Sequence, residues 1–233
     1  KYVIITLNAD NKGEGGILSL FSLVKRKAKW LIIPAIIGAS TLLADGMITP
    51  AITISSAIEG LAIRFPSVPT VPIVVLIITF LFFIQRFGTS IVGRVFGPMM
   101  LIWFSMIGIL GISYIGHSPE VLKAFNPYYA IMTLIAHPNA LFIVGAIFLC
   151  TTGAEALYSD MGHCGKANIR ISWIFVKLML VLNYFGQGAW LLEHTGTQIG
   201  EHNPFYAIMP EGFVIYGVAI ATLAAVIASQ AMI

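Results

Sequence analysis

The chain has 233 residues, of which 58% are hydrophobic and 10% charged, with a formal net charge of +3. Soluble domains carry roughly 25% charged residues, so this composition excludes a water-soluble globular core and points to a membrane protein. The two cysteines, Cys150 and Cys164, are too few for a disulfide framework and are read as free thiols.

In chain order, residues 1–9 read as the tail of a span. Lys1-Tyr-Val-Ile-Ile-Thr-Leu7 is apolar with no cleavage site after it, which argues against a signal peptide. With no initiator Met and with apolar segments at both ends, the chain is expected to be an excerpt of a longer protein. Asp10-Asn-Lys-Gly-Glu-Gly-Gly16 predicts a tight cytoplasmic turn. It is not a phosphate loop, because the Gly-Lys-Ser/Thr ending and the preceding strand are missing. Residues 17–24 are too short to cross a bilayer and lead into Lys25-Arg-Lys-Ala-Lys29, so 17–29 reads as an interfacial segment. A span needs about 20 apolar residues. That criterion predicts spans near 30–62, 70–86, 96–116, 139–160, 170–192 and 210–233.

Lys and Arg orient these spans, because cytoplasmic loops carry the excess. With the loop before residue 30 placed in the cytoplasm, cytoplasmic connections hold Lys12, Lys25, Arg26, Lys27, Lys29, Arg86, Arg94, Lys166 and Arg170. Outer connections hold Arg64 and Lys123, together with the acidic Glu120, Glu193, Glu201 and Glu211. His117, His137, His163, His194 and His202 all fall in predicted loops, against an intramembrane His-ligated metal.

The sequence Leu42-Leu-Ala-Asp-Gly-Met-Ile-Thr-Pro-Ala-Ile-Thr-Ile-Ser-Ser56 lies within the 30–62 span. Asp45, Thr49 and Thr53 are spaced i, i+4, i+8 and therefore stack on one helix face. Ser56 and Gly60 continue the stripe within about 40° at 100° per residue. A carboxylate at mid-membrane costs roughly 2.5–3.5 kcal/mol and by default marks a functional pathway. The suggested ligand is a cation. Pro50 removes a backbone donor and frees the Gly46 carbonyl beside these oxygens. The competing reading has the hydroxyls bonding back to helix carbonyls and Asp45 paired to a base, with Lys177 the only basic residue deep in another span.

A second cluster is Cys150-Thr-Thr-Gly-Ala-Glu-Ala-Leu-Tyr-Ser-Asp160, in which Thr152, Glu155 and Ser159 share a face at i, i+3, i+7. Thr-Thr-Gly is a candidate helix break, and broken helices build midplane sites in transporters. The alternative leaves Glu155 at the cytoplasmic interface. Asp160 and His163 fit the cytoplasmic loop. Two carboxylates facing one monovalent cation raise the pKa of one of them, so Asp45 and Glu155 are candidates for proton coupling. Gly93-x-x-x-Gly97, and the pairs Ala221/Ala225 and Ala224/Ala228, predict close helix packing. Asn183 and Gln187, inside a span, predict interhelical hydrogen bonds.

The stretch from Ala44 to Gly60 resembles the Kup/HAK/KT potassium-uptake family. So do Asp10–Gly16, Phe87-Gly-Thr-Ser-Ile-Val-Gly93, Phe96-Gly-Pro98, Thr152–His163, Asn183–Ala189 and Ala228-Ser-Gln230, in order and over nearly the whole chain. The resemblance implies an all-α membrane protein, part of an inverted-repeat (5+5) bundle like that of amino acid–polyamine–cation transporters. It places the chain from the end of the second helix through the eighth. It implies secondary active K⁺ import, as K⁺/H⁺ symport by alternating access, in the plasma membrane (the cell inner membrane if bacterial). Asp45, Thr49 and Thr53 would line the K⁺ site, completed by Thr152 and Glu155 on the broken sixth helix. The family's first helix, with its own Gly-Asp-x-Gly-Thr-Ser motif, and helices nine to twelve fall outside these residues, so part of the ligand set does too.

K⁺, H⁺ and membrane lipid are the expected partners, with a homodimer one assembly open to the chain and no nucleic acid. No organic cofactor and no metal beyond K⁺ is expected. An amino acid or polyamine carrier of related fold is the alternative. An enzyme is not expected, because neither His-Glu-x-x-His nor Gly-x-Ser-x-Gly occurs.

Overall fold

Away from water a helix is the simplest way for a segment to satisfy its own backbone donors and acceptors. The apolar runs of this chain take that route in the computed structural model, which describes residues 3–65, 67–85, 90–150, 157–158, 161–197 and 203–232. The helices are α1 (Ile17–Val24), α2 (Ile32–Arg64), α3 (Thr70–Gln85), α4 (Ser90–Ile115) and α5 (Pro127–Ala136). Then come α6 (Ala140–Cys150), α7 (Met161–Cys164), α8 (Lys166–Glu193), α9 (Pro204–Ala207) and α10 (Val214–Met232). No strand occurs among the described residues; one isolated bridge joins Asn11 and Glu14. Among the described residues three stretches are long and apolar enough to cross a membrane: Lys29–Leu61, Val95–Ile115 and Lys166–Glu193. Thr70–Phe83, Pro127–Ala136 and Val214–Ser229 are shorter apolar helices.

The chain divides into two compact units, Lys1–Leu42 with Leu122–Val176 and Leu43–Val121 with Lys177–Ile233. In the second unit α10 packs against α3 and α4. Ile54, Ala57 and Ile58 of α2 share one buried cluster with Val74, Leu81, Ala221 and Ala225. Another joins Met106, Ile107 and Leu110 of α4 to Trp190, Tyr206, Met209 and Val218. The alanines at 221, 224 and 225 are all buried, in keeping with their small-residue spacing. The Gly93/Gly97 expectation fails at Gly97, where an added Cβ would meet open space. The close crossing lies elsewhere, where Gly111 of α4 meets Leu182, Asn183 and Gly186 of α8.

The first unit is built around Val3, Leu7, Tyr158, Met161 and Ile169. Its polar centre is the Asp10–Gly16 turn. Asn11 and Glu14 exchange backbone hydrogen bonds of 2.9 and 3.1 Å. Lys12 and Gly13 sit at φ +56° and +91°, the left-handed pair of a type I′ turn. The Gly13 N–H donates to Asp10 Oδ2 at 2.8 Å. Asp10 is ion-paired with Lys166, the Tyr158 hydroxyl donates to the Ala9 carbonyl at 2.5 Å, and Arg170 donates to Asn8 Oδ1 at 2.9 Å. Gly15 lies against the Tyr158 backbone, leaving no room for a Cβ, and Gly162 lies against the Glu14 carboxylate.

The connection after α4 was expected to be a loop, yet it forms a 3₁₀ turn (Pro119–Phe125) and α5. The reason is local. Asn126 Oδ1 accepts the Tyr128 N–H at 3.0 Å with Pro127 at the first helical position, a strong helix start. Asn203 and Pro204 repeat that device at α9. His163, also expected in a loop, sits in the short α7.

Candidate functional site

On α2 the stripe forms a hydrogen-bonded chain. The Thr49 hydroxyl donates to Asp45 Oδ1 at 2.6 Å, and the Thr53 hydroxyl donates to the Thr49 carbonyl at 2.6 Å. Each hydroxyl spends its single proton along the helix and keeps its lone pairs outward. Among the described residues the second carboxylate oxygen accepts no hydrogen bond either. Pro50 lies inside the helix and cannot donate to the Gly46 carbonyl. The face therefore presents oxygen acceptors and offers no donor to compete with a cation. Among the described residues Asp45 has Thr49 as its hydrogen-bond partner and no ion pair. Among the described residues, then, the pairing of Asp45 with a base does not occur. The back-bonding expected of a helix hydroxyl holds for Thr53.

Burial along α2 changes at Pro50. Before it, Leu43 is 74% and Met47 81% exposed; after it, Ile54 is 0% and Ile58 1% exposed. Asp45 lies in the unpacked half and is exposed, whereas Thr49 and Thr53 are half-buried. Thr53 and Ser56 then border a cavity of about 380 Å³ within the second unit, walled also by Trp103, Ile107, Asn183 and Tyr206.

Two features of this cavity were not visible in the sequence. The Tyr206 hydroxyl donates to the Ala57 carbonyl at 2.6 Å and approaches the Ser56 carbonyl at 3.3 Å. Burial, and secondarily the Glu59 carboxylate, push its phenol above the usual range, so it remains a donor. Gly60 makes room for it: a Cβ there would lie 2.6 Å from the Tyr206 ring and 2.5 Å from Val218. The only hint was Gly60 itself, placed in the stripe but packed by a residue far along the chain. The second feature is Asn183, which is 6% exposed. Its Oδ1 has no hydrogen-bond partner among the described residues, where an interhelical bond was expected.

Thr152 and Glu155, with Ser159 and Asp160, lie outside the described residues. Cys164 is a free thiol, and both it and Cys150 are exposed.

The family model for the K⁺ potassium transporter integral membrane domain matches residues 1–233. The chain is 62% identical to a probable potassium transport system protein Kup of Flavobacterium johnsoniae, covering all of this chain and 37% of that protein. It is 60% identical to the corresponding protein of Flavobacterium psychrophilum, with all of this chain and 36% of that one covered. It is 55% identical to a probable Kup 1 protein of Lactococcus lactis subsp. lactis, with the same coverage of 100% and 36%. The chain thus spans little more than a third of the length of these relatives. No solved structure matches it. An all-helical, apolar chain matched from end to end in this way is a multi-pass membrane protein and belongs to the Kup/HAK/KT family of potassium transporters.

Proposed function

We propose that this chain is part of a secondary active K⁺ importer of the plasma membrane that couples K⁺ to H⁺ by alternating access. The observation that carries this reading is the Asp45–Thr49–Thr53 chain on α2. Its donors are turned along the helix and its acceptors are left free. A dehydrated monovalent cation needs oxygens to replace its hydration shell, and this face supplies carboxylate, hydroxyl and carbonyl oxygens together. Thr152 and Glu155 are proposed to complete the K⁺ site from a broken helix. The relatives named for potassium transport support K⁺ as the substrate.

Proton coupling follows from charge. With Asp45 and Glu155 both facing one K⁺, full ionisation leaves a net negative site at low dielectric, and one carboxyl then takes a proton. Rocking of one bundle against another, in an inverted-repeat (5+5) arrangement, is the proposed access mechanism. The predicted spans near 30–62, 70–86, 96–116, 139–160, 170–192 and 210–233 are the proposed membrane crossings.

The test is Rb⁺ uptake by the full-length protein containing this chain, in cells lacking their own K⁺ importers, at two external pH values. The expected result is faster uptake at acid pH in the wild type, abolished by Asp45→Asn and kept by Glu14→Gln. If Asp45→Asn still transports but loses its pH dependence, Asp45 carries the proton and the ligands lie elsewhere. Absence of Rb⁺ uptake by the wild type overturns the reading in favour of an amino acid or polyamine carrier.

A further inference from the structure

The segment joining α1 to α2 has a charge and apolar pattern that K⁺ transport does not explain. Lys25, Arg26, Lys27 and Lys29 follow one another there, and all four are exposed. Among the described residues none of their side chains has a hydrogen bond or ion pair. The nearby acids do not neutralise them: Asp10 is taken by Lys166 and the Gly13 N–H, and the Glu14 carboxylate lies against Gly162.

The helix before this run is inside out relative to a water-facing one. Its two serines turn inward, Ser19 donating to the Glu14 carbonyl at 2.9 Å and Ser22 accepting from Asn11 Nδ2 at 2.8 Å. Two of its three leucines turn outward, Leu18 being 67% and Leu23 48% exposed, while Leu20 packs against the core of the first unit. Trp30, immediately after the basic run, is 69% exposed. Tryptophan at the entrance of a span favours the headgroup level, and a helix long enough to cross the bilayer begins there.

We propose that the α1–α2 connection is a docking surface for anionic phospholipid headgroups, with Lys25, Arg26, Lys27 and Lys29 facing the phosphates and Leu18, Leu23 and Trp30 seated among the acyl-chain ends. Clustered cations next to a span draw anionic lipid, and an apolar rim on both sides suits a lipid surface. A soluble phosphate would gain nothing from Leu18 or Trp30. The proposal rests on the chain being a membrane protein and is independent of the transported ion.

The test uses the full-length protein purified in mild detergent and equilibrated with equimolar phosphatidylglycerol and phosphatidylcholine. Lipid carried per protein is then counted by mass spectrometry at 0.1 M and 1 M NaCl. The wild type is expected to carry several-fold more phosphatidylglycerol, an excess that collapses at high salt. Neutralising Lys25 and Lys27 to Gln brings the two lipids close to equal retention, since each basic residue near an anionic surface is worth roughly fivefold. The single control Lys12→Gln leaves the excess intact, as does the charge-keeping triple change of Lys25, Lys27 and Lys29 to Arg. Equal retention of the two lipids by the wild type overturns the proposal. So does an excess that survives both neutralisation and high salt, or one displaced by millimolar inorganic phosphate, which would mark a soluble-anion site. Should the neutralised protein not fold, the salt series on the wild type decides alone. Rb⁺ uptake reads the K⁺ proposal separately, so either can fail without the other.

Discussion

At Thr49 a single proton decides which atoms the helix face presents outward. Its hydroxyl donates to Asp45, fixing the carboxylate against its own helix and leaving the remaining lone pairs outward. Thr49→Val keeps the shape and removes both the donor and an acceptor. The expected outcome is a higher KM for Rb⁺ uptake with little change in expression, while Thr49→Ser restores it; an unchanged KM in the Val variant would remove Thr49 from the site. Gly60 belongs to the same scale but to stability. A methyl there collides with the Tyr206 ring and Val218, and overpacking typically costs about 1–3 kcal/mol. Gly60→Ala should lower the thermal midpoint in detergent. Adding Tyr206→Phe should not restore it, since the collision is with ring carbons and not with the hydroxyl. The register of Asp45, Thr49 and Thr53 was legible in the sequence because it depends only on helical spacing. The Tyr206 contact was not, because nothing local to Gly60 says which residue some 150 positions away will fill its notch.

Elements in this chain are joined at places where side chains are missing or charges meet. Gly111 of α4 and Gly186 of α8 touch backbone to backbone, with a Cβ on Gly186 placed 2.5 Å from the Gly111 Cα. Such approach is what small residues allow between apolar helices. Gly111→Ala and Gly186→Ala should each lower the melting temperature. The double variant should cost less than the sum, because either methyl alone forces the helices apart and contacting sites are not additive. Additive losses would mean the two glycines are not in one contact. The sequence pattern pointed to Gly93 and Gly97 instead. Spacing of small residues shows that a helix can be approached closely, whereas the partner is chosen by the whole packing of the unit. Helices themselves were far more legible, since α2, α3, α4, α8 and α10 occupy long apolar runs. By contrast α5 depends on the Asn126–Pro127 start, a local capping signal that apolar run length does not reveal. The turn at 10–16 is held electrostatically. The hydrogen bond from Lys166, then that from the Gly13 N–H, hold the Asp10 carboxyl below its ordinary 3.8. A depressed carboxylate pKa stabilises the fold above the unfolded value, and that contribution fades as pH falls through the folded one. The thermal midpoint of Asp10→Asn should therefore trail the wild type evenly at neutral pH and converge with it below pH 3.8. A gap that persists in acid would assign the defect to something other than the Lys166 pair.

For the whole molecule the decisive quantity is which side of the membrane each loop occupies, because the proposed alternating access has a direction only once orientation is known. Over the proposed crossings the basic residues fall unevenly between alternate connections, and the α7–α8 region with Lys166 and Arg170 belongs to the rich side, which is expected to face the cytoplasm by the positive-inside rule. Cys164 reports on that region directly. It is exposed at the end of α7, next to Gly165 at φ +79°, so no burial shields it from a thiol reagent. Cys150 closes α6 at the end of an apolar run and is exposed as well; within the proposed crossing near 139–160 it is expected to face lipid, away from the water in which a thiolate forms. The two thiols should thus behave differently despite equal exposure. In the full-length protein with its other cysteines removed, Cys164 is expected to react in intact cells with a membrane-permeant maleimide. A charged, impermeant maleimide should reach it only after the cells are opened. Cys150 alone should react slowly with both. Impermeant labelling of Cys164 from outside would invert the topology, place the Asp10–Lys166 turn and the basic run before α2 on the outer face, and require import to start from the opposite end of the Asp45 stripe. Fast labelling of Cys150 would instead mean that α6 borders water at that depth, which is where a broken helix carrying Thr152 and Glu155 would need it.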